Sequence, residues 1–245
     1  MPIDENSPIE VTAFAWVPPF ARGFVRDLRV RWALEEIGLS YRVRLIGSAG
    51  GTAPGPARPE NYLAEQPFGQ LPVYKEGALC LFESGAIVLH IGGKDERLLP
   101  RDEPARGRAI AWMIAALNSV ELHTFMLTVL SVFVAEAPWS AAARAEIRPR
   151  VAGRLAQLSA ALGEQDWLDG RFTIGDLMMV DTLRALPDKA LLAAYPNLAA
   201  YVARGMARPA FRLAMAAQLA DFIPDPDENT KAMPVAEIQH LPLPG

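Results

Sequence analysis

The chain predicts two structural classes in succession, a small α/β domain followed by an all-helical domain. Three observations predict this. Short β-rich runs alternate with helix-spaced runs as far as Gly93. From Ala105 to Phe222 the apolar spacing is helical almost throughout. Of the 245 residues 51% are hydrophobic and 21% charged, enough apolar side chain to build a sizeable core. The boundaries read as 10–93 for the α/β domain, 94–104 for a linker, 105–222 for the helical domain and 223–245 for an extended, proline-rich tail.

Val11 to Trp16 is β-rich and reads as the first strand, ended by Pro18-Pro19. In the run from Val25 to Gly38, the residues Val25, Leu28, Trp32 and Ile37 are roughly helix-spaced, and Gly38 suits the stop after the last turn. Tyr41 to Ile46 alternates apolar residues with Arg, the period of a half-buried strand. Gly47 to Pro59 is rich in Gly, Pro and Ala and reads as loop, and Glu60 to Glu65 has room for one helical turn. Leu71–Tyr74 and Leu79–Phe82 read as strands joined through Lys75-Glu76-Gly77, with glycine supplying a positive φ. Ser84 to Ile91 reads as a short helix stopped by Gly92-Gly93.

In the second half, Arg108 to Glu136 is long and apolar enough to raise the question of a membrane span. Polar residues Asn118, Glu121, His123 and Thr124 near its middle argue for a helix buried on one side instead. The expected buried stripe is Ile110, Met113, Ile114, Leu117, Leu122, Phe125, Met126, Val129, Leu130 and Phe133. Ala141 to Leu162 carries Ile147, Val151, Leu155, Leu158 and Leu162 on one face, with Pro149 expected to kink or interrupt it. Thr173-x-x-Asp176 has the form of a reciprocal helix-capping box, flanked by Phe172 and Leu177 as a hydrophobic staple. Pro196 suits the first turn of a following helix.

A formal charge of -4 and basic residues scattered among acidic ones argue against a nucleic-acid partner. The polar, acidic start MPIDENSP has neither the basic beginning nor the apolar run of a signal peptide. Cys80 is the single cysteine, which excludes an internal disulfide and a Cys-x-x-Cys redox pair. A reducing, cytoplasmic setting is expected, with Cys80 as an inert buried thiol. His90 and His123 lack partners at metal-ligand spacing, so no metal is expected.

The chemistry concentrates between Gln66 and Ile91. Gln66-Pro67-Phe68-Gly69-Gln70-Leu71-Pro72 is a turn leading into a strand, and Glu83-Ser84 follows where a strand gives way to a helix. Free amides at a helix start and a serine hydroxyl are donors ready for a carboxylate, while a carboxylate side chain accepts from an ammonium group. With Phe172-Thr173-Ile174-Gly175-Asp176 downstream, and a first helix reading Val30-Arg31-Trp32-Ala33-Leu34-Glu35-Glu36-Ile37-Gly38, the chain resembles the glutathione S-transferase family from Val11 to Phe222.

The resemblance implies a thioredoxin-like N-terminal domain followed by a C-terminal helical bundle. It implies glutathione as co-substrate, with no metal, and a homodimer. It makes Pro72 a cis-proline, and lets the Leu71 backbone pair with the cysteinyl part of glutathione as an added strand. Glu83 and Ser84 take the γ-glutamyl end, and Gln70 reaches the tripeptide. The second substrate is an apolar electrophile, placed against Phe20, Trp112 and Ala116. The Thr173–Asp176 box is structural in this reading.

The sequence departs from the family at the sulfur. The family usually carries Tyr, Ser or Cys just after the first strand, to favour thiolate over thiol. Here Trp16 to Arg26 contains none of them, nor Thr. Backbone amides around Phe20 to Arg22 are one substitute, acting as an anion hole. The charge of Arg22 or Arg26 is another, and Arg22 is the catalytic candidate. The other readings are a non-catalytic binding or interaction member, and a glutathione-dependent isomerase or lyase.

Overall fold

In a computed structural model, residues 3–47 and 55–224 are described. Part of the predicted 47–59 loop, and the tail from residue 225, lie outside them. The chain divides by packing into two units, one running up to Ile91 and resuming at Pro209, the other Gly92–Arg208. The final helix therefore groups with the first unit, although the sequence reading ran the helical domain on to Phe222.

The first unit holds a four-stranded sheet in the order β2-β1-β3-β4, with β1 (Ile9–Phe14), β2 (Arg42–Ile46), β3 (Val73–Glu76) and β4 (Leu79–Phe82). β1 and β2 are parallel, as their connection through α1 (Asp27–Ile37) requires. β3 runs antiparallel to both β1 and β4. β1 lies two residues earlier than predicted. The β3–β4 turn is tighter than predicted: Glu76 faces Leu79 within the ladder, so only Gly77 and Ala78 form the turn, with Gly77 at φ 58. α2 (Tyr62–Glu65) is the predicted single helical turn, and α3 (Ser84–Gly92) follows β4 directly. Cys80 is exposed on the edge strand rather than buried, because β4 has a neighbour on one side only.

α1 ends as predicted, with Gly38 left-handed at φ 73. It is the buried spine of this unit, and it meets α10 (Pro209–Asp221) through an edge-to-face contact of Trp32 with Phe211 at 4.9 Å. Burial also pushes the Glu35 carboxyl on α1 up to about 7, against the pull of Arg31. A folded-state pKa above the ordinary 4.5 means that the contribution of this group is fully present below about 4.5 and is lost as pH rises through about 7. Glu35→Gln is accordingly expected to flatten the fall in stability across that window. Melting temperatures of parent and variant from pH 5 to pH 8 check it, and parallel curves would contradict it.

In the second unit a long helical rod is built from α4 (Glu103–Ala115), a π-type segment (Ala116–Glu121), α5 (Leu122–Thr128) and a second π-type segment (Val129–Phe133). By length and composition alone the rod could cross a membrane. Its buried positions are Ala109, Met113, Ala116, Val120, Thr124, Leu127 and Leu130, whereas Ile114, Leu122 and Met126 are exposed. The predicted stripe is thus displaced. Met113 and Leu130 stay buried, the buried positions keep ordinary helical spacing, and the small Ala109 and Ala116 lie in the contact in place of larger neighbours. Gly175 shows how close that contact is, since a Cβ there would sit 2.7 Å from Trp112 Cβ.

α7 (Ile174–Arg184) is buried along its whole length and forms the axis of this unit. α6 (Ser140–Leu162) runs through Pro149 without the interruption that was one of the two expected outcomes. Pro149 and Ala145 both face solvent, so the carbonyl left without its donor can be hydrated. α8 (Lys189–Ala193) and α9 (Pro196–Ala207) complete the unit, with Pro196 in the first turn as predicted.

Candidate active site

The predicted residues lie at the end of the β3–β4 hairpin. The ladder ends with Val73 facing Phe82, and Leu71-Pro72 and Glu83-Ser84 lead away from those two ends. The Leu71–Pro72 peptide is cis. Among the described residues, neither the N–H nor the carbonyl of Leu71 pairs with another backbone group. Extended backbone with free groups at a sheet end is the template for strand addition.

Several bonds hold this segment still. The Val73 N–H donates to Thr12 Oγ1 at 2.6 Å, fastening the start of β3 to β1. The Tyr62 hydroxyl donates to the Gln70 carbonyl at 2.7 Å, and Arg58 Nη1 donates to the Gly69 carbonyl at 2.7 Å. Gln66, almost fully buried, accepts the Phe68 N–H on its side chain and the Gly69 N–H on its backbone. These contacts fix the backbone of Gln70, Leu71 and Pro72 from below, and the Gln70 side chain stays partly exposed.

Glu83 has φ 68 and is the sole described residue other than glycine with positive φ. Left-handed backbone costs a side-chain-bearing residue of order 1–3 kcal/mol, and such strain gathers at functional sites. Its carboxylate is exposed. Ser84 is the first residue of α3 and is 5% exposed. An acceptor for a cation and a hydroxyl at a helix start therefore sit side by side.

One residue the sequence reading missed reaches this spot. Arg29 of α1, 3% exposed, donates from Nη1 to Ser84 Oγ at 3.3 Å. An arginine on the buried face of an amphipathic helix was the available signal, but its partner lies 55 positions away in sequence.

Arg22 is not on a solvated helix face. It follows a 3-10 turn (Pro19–Ala21) and donates to the carbonyls of Val17, at 3.5 Å from Nε, and Ile223, at 3.4 Å from Nη2. Its guanidinium also lies 5.7 Å from the centre of the Phe222 ring. The Ile223 N–H in turn donates to the Ala15 carbonyl at 2.9 Å, so the segment after α10 is tied to the end of the first strand beside Arg22. The expected backbone anion hole is partly used up, because the Ala21 and Arg22 amides already donate to the carbonyls of Pro18 and Pro19.

The residues assigned to a second substrate fall in different units. Phe20 is 38% exposed in the 3-10 turn of the first. In the second, Trp112 is partly exposed on α4 and Ala116 is fully buried in the core. Among the described residues no group of three or more His, Cys, Asp or Glu could hold a metal ion.

The chain thus joins an N-terminal α/β unit with a cis-proline near a helix start to a helical unit with a buried capping box. Residues 20–93 match the N-terminal domain of glutathione S-transferases, and residues 122–209 match the C-terminal domain. A glutathione S-transferase of Arabidopsis thaliana is 31% identical over 64% of this chain and 75% of its own length. One from Hyoscyamus muticus is 28% identical over 77% of this chain and 92% of its own. Among solved structures, a theta class glutathione S-transferase from Xanthomonas axonopodis, with glutathione bound, is similar at a TM-score of 0.68 and 27% identity, covering 85% of this chain and 97% of that one. A glutathione transferase family member from Pseudomonas fluorescens, with two glutathione bound, has the same fold at a TM-score of 0.73 and 21% identity, covering 86% of this chain and 94% of that one. The chain belongs to the glutathione S-transferase family.

Proposed function

We propose that this enzyme conjugates the thiolate of glutathione to a small, apolar electrophile. The supporting observation is the unpaired Leu71 backbone at the end of the hairpin, where the ladder closes on Val73 and Phe82 and Glu83-Ser84 follows. The cysteinyl part of glutathione pairs with Leu71 as a short added strand. The γ-glutamyl carboxylate takes the Ser84 hydroxyl and the free amides of α3, the ammonium takes Glu83, and the Gln70 side chain is within the same stretch. Arg22 supplies positive charge toward the sulfur, lowering the thiol pKa as a nearby cation does. Phe20, exposed in the 3-10 turn of the first unit, remains a candidate for apolar contact with the electrophile, whereas Ala116 has no exposed surface to offer and is dropped. A homodimer in a reducing, cytoplasmic setting belongs to the same proposal.

Ser84→Ala is expected to weaken glutathione about tenfold, the value of one hydrogen bond to a charged group, with the fold intact. Calorimetry on the whole chain checks it, and an unchanged affinity would remove the γ-glutamyl assignment. Arg22→Ala is expected to raise the pKa of the bound thiol, read as an upward shift of the ultraviolet thiolate titration. No shift would take Arg22 out of the chemistry.

The lack of Tyr, Ser, Thr or Cys from Trp16 to Arg26 favours one alternative, a member that binds glutathione without turning it over. Conjugation of a generic aryl halide above the uncatalysed rate separates the two.

A further inference from the structure

We propose that Arg29 is a positioning residue of the glutathione site. In this role its buried guanidinium orients the Ser84 hydroxyl toward the γ-glutamyl carboxylate. The inference rests on the γ-glutamyl reading above and adds a residue to it.

The argument begins with the hydroxyl. A serine oxygen has one hydrogen to donate and two lone pairs, and the hydrogen rotates to suit its surroundings. A hydroxyl at a helix start has a competing use for its oxygen, capping the backbone amides of its own first turn. Arg29 Nη1 donates to Ser84 Oγ at 3.3 Å, so a lone pair of that oxygen is already engaged from the α1 side. The Ser84 hydrogen is then directed away from Arg29, which is where an incoming acceptor is needed. A donor that itself accepts from a cation is polarised and donates more strongly.

Burial makes the arrangement rigid. Arg29 is 3% exposed and Ser84 5% exposed, so neither side chain has solvent to swing into. Leu28, Val30 and Trp32 on either side are wholly buried in the core, which fixes the point from which Arg29 reaches out. Oriented hydroxyl and helix amides together favour a ligand with a carboxylate at that end. They add nothing for a thiol peptide without one.

The test is calorimetry on the full-length chain with two ligands, glutathione and the analogue lacking the γ-glutamyl α-carboxylate. Arg29→Met is expected to weaken glutathione about tenfold and to leave the analogue within about twofold. In a Ser84→Ala background the Arg29→Met effect on glutathione is expected to shrink to about twofold or less, since the two residues act through one contact. Arg29→Gln, which keeps a neutral donor, should recover part of the affinity. Equal loss for both ligands, or an undiminished effect in the Ser84→Ala background, would overturn the proposal. So would failure of both the Met and Gln chains to fold by circular dichroism, which assigns Arg29 to stability alone. If Ser84→Ala and removal of the carboxylate each leave the parent affinity unchanged, the γ-glutamyl reading itself fails. If those two weaken binding and Arg29→Met does not, only the role of Arg29 is lost.

Discussion

Asp176→Ala is expected to destabilise the protein by about 3–4 kcal/mol, seen as a lowered midpoint in denaturant. The carboxylate is completely buried at the start of α7, and four donors converge on it. The Thr173 and Leu168 amides donate at 2.9 Å, the Tyr201 hydroxyl at 3.0 Å and the Thr173 hydroxyl at 3.2 Å. Removing the acceptor strands two backbone amides and a tyrosine hydroxyl where no water reaches them, and each costs of order 1–3 kcal/mol. It also breaks the box in which the Thr173 hydroxyl accepts the Gly175 amide. Because α7 is the buried axis of its unit, the loss should be read by every packed neighbour and not by one helix end. Asp176→Asn, which retains an acceptor oxygen, should cost less than half as much. Equal midpoints for Ala and parent would show that the donors find other acceptors.

Asp27→Ala is expected to cost about 3–5 kcal/mol, the range for breaking a buried ion pair from one side. Arg31, with no exposed side-chain surface, donates to Asp27 at 2.8 Å and to Asp221 at 2.5 Å. The Gln218 amide donates to Asp27 at 2.7 Å and to the Val25 carbonyl at 3.1 Å. One buried cation on α1 is thus shared by its own helix and by α10. Taking away Asp27 leaves Arg31 with a single, part-exposed carboxylate and leaves the Gln218 amide one acceptor short. The double variant Asp27→Leu with Arg31→Met should recover much of the loss, because a well-packed apolar pair avoids the desolvation of both charges. Chemical denaturation of the two variants beside the parent checks both statements. A double variant as unstable as the single one would mean that the pair supplies net stability.

The two networks differ in how visible they are in sequence. Thr173-x-x-Asp176 is a local pattern, and its partners within the box are three residues apart, so residue type and spacing suffice to recognise it. Asp27 and Arg31 are also local, one helical turn apart, but Asp221 and Gln218 join them from the far end of the chain. Nothing in the spacing of residues near 220 signals that a helix there closes over α1.

The same division runs through the site. Gln70, Leu71, Pro72, Glu83 and Ser84 became candidates through the family resemblance, and the hairpin that carries them was legible because it is a local object. Arg29 was not legible, because the Ser84 hydroxyl comes to it only once α1 is laid on the sheet. Arg22 was legible as a candidate by position, while its engagement by the Val17 and Ile223 carbonyls came from the return of the chain after α10.

Taken alone, the sequence determined the order of strands and helices, the hairpin and the capping box, since each depends on residues within a few positions of one another. Tertiary structure alone decided which face of the α4–α5 rod is buried, to which unit α10 belongs, and which cation stands behind Ser84. Those outcomes depend on distances between segments far apart in the chain, and local propensity carries no information about such distances until the segments pack.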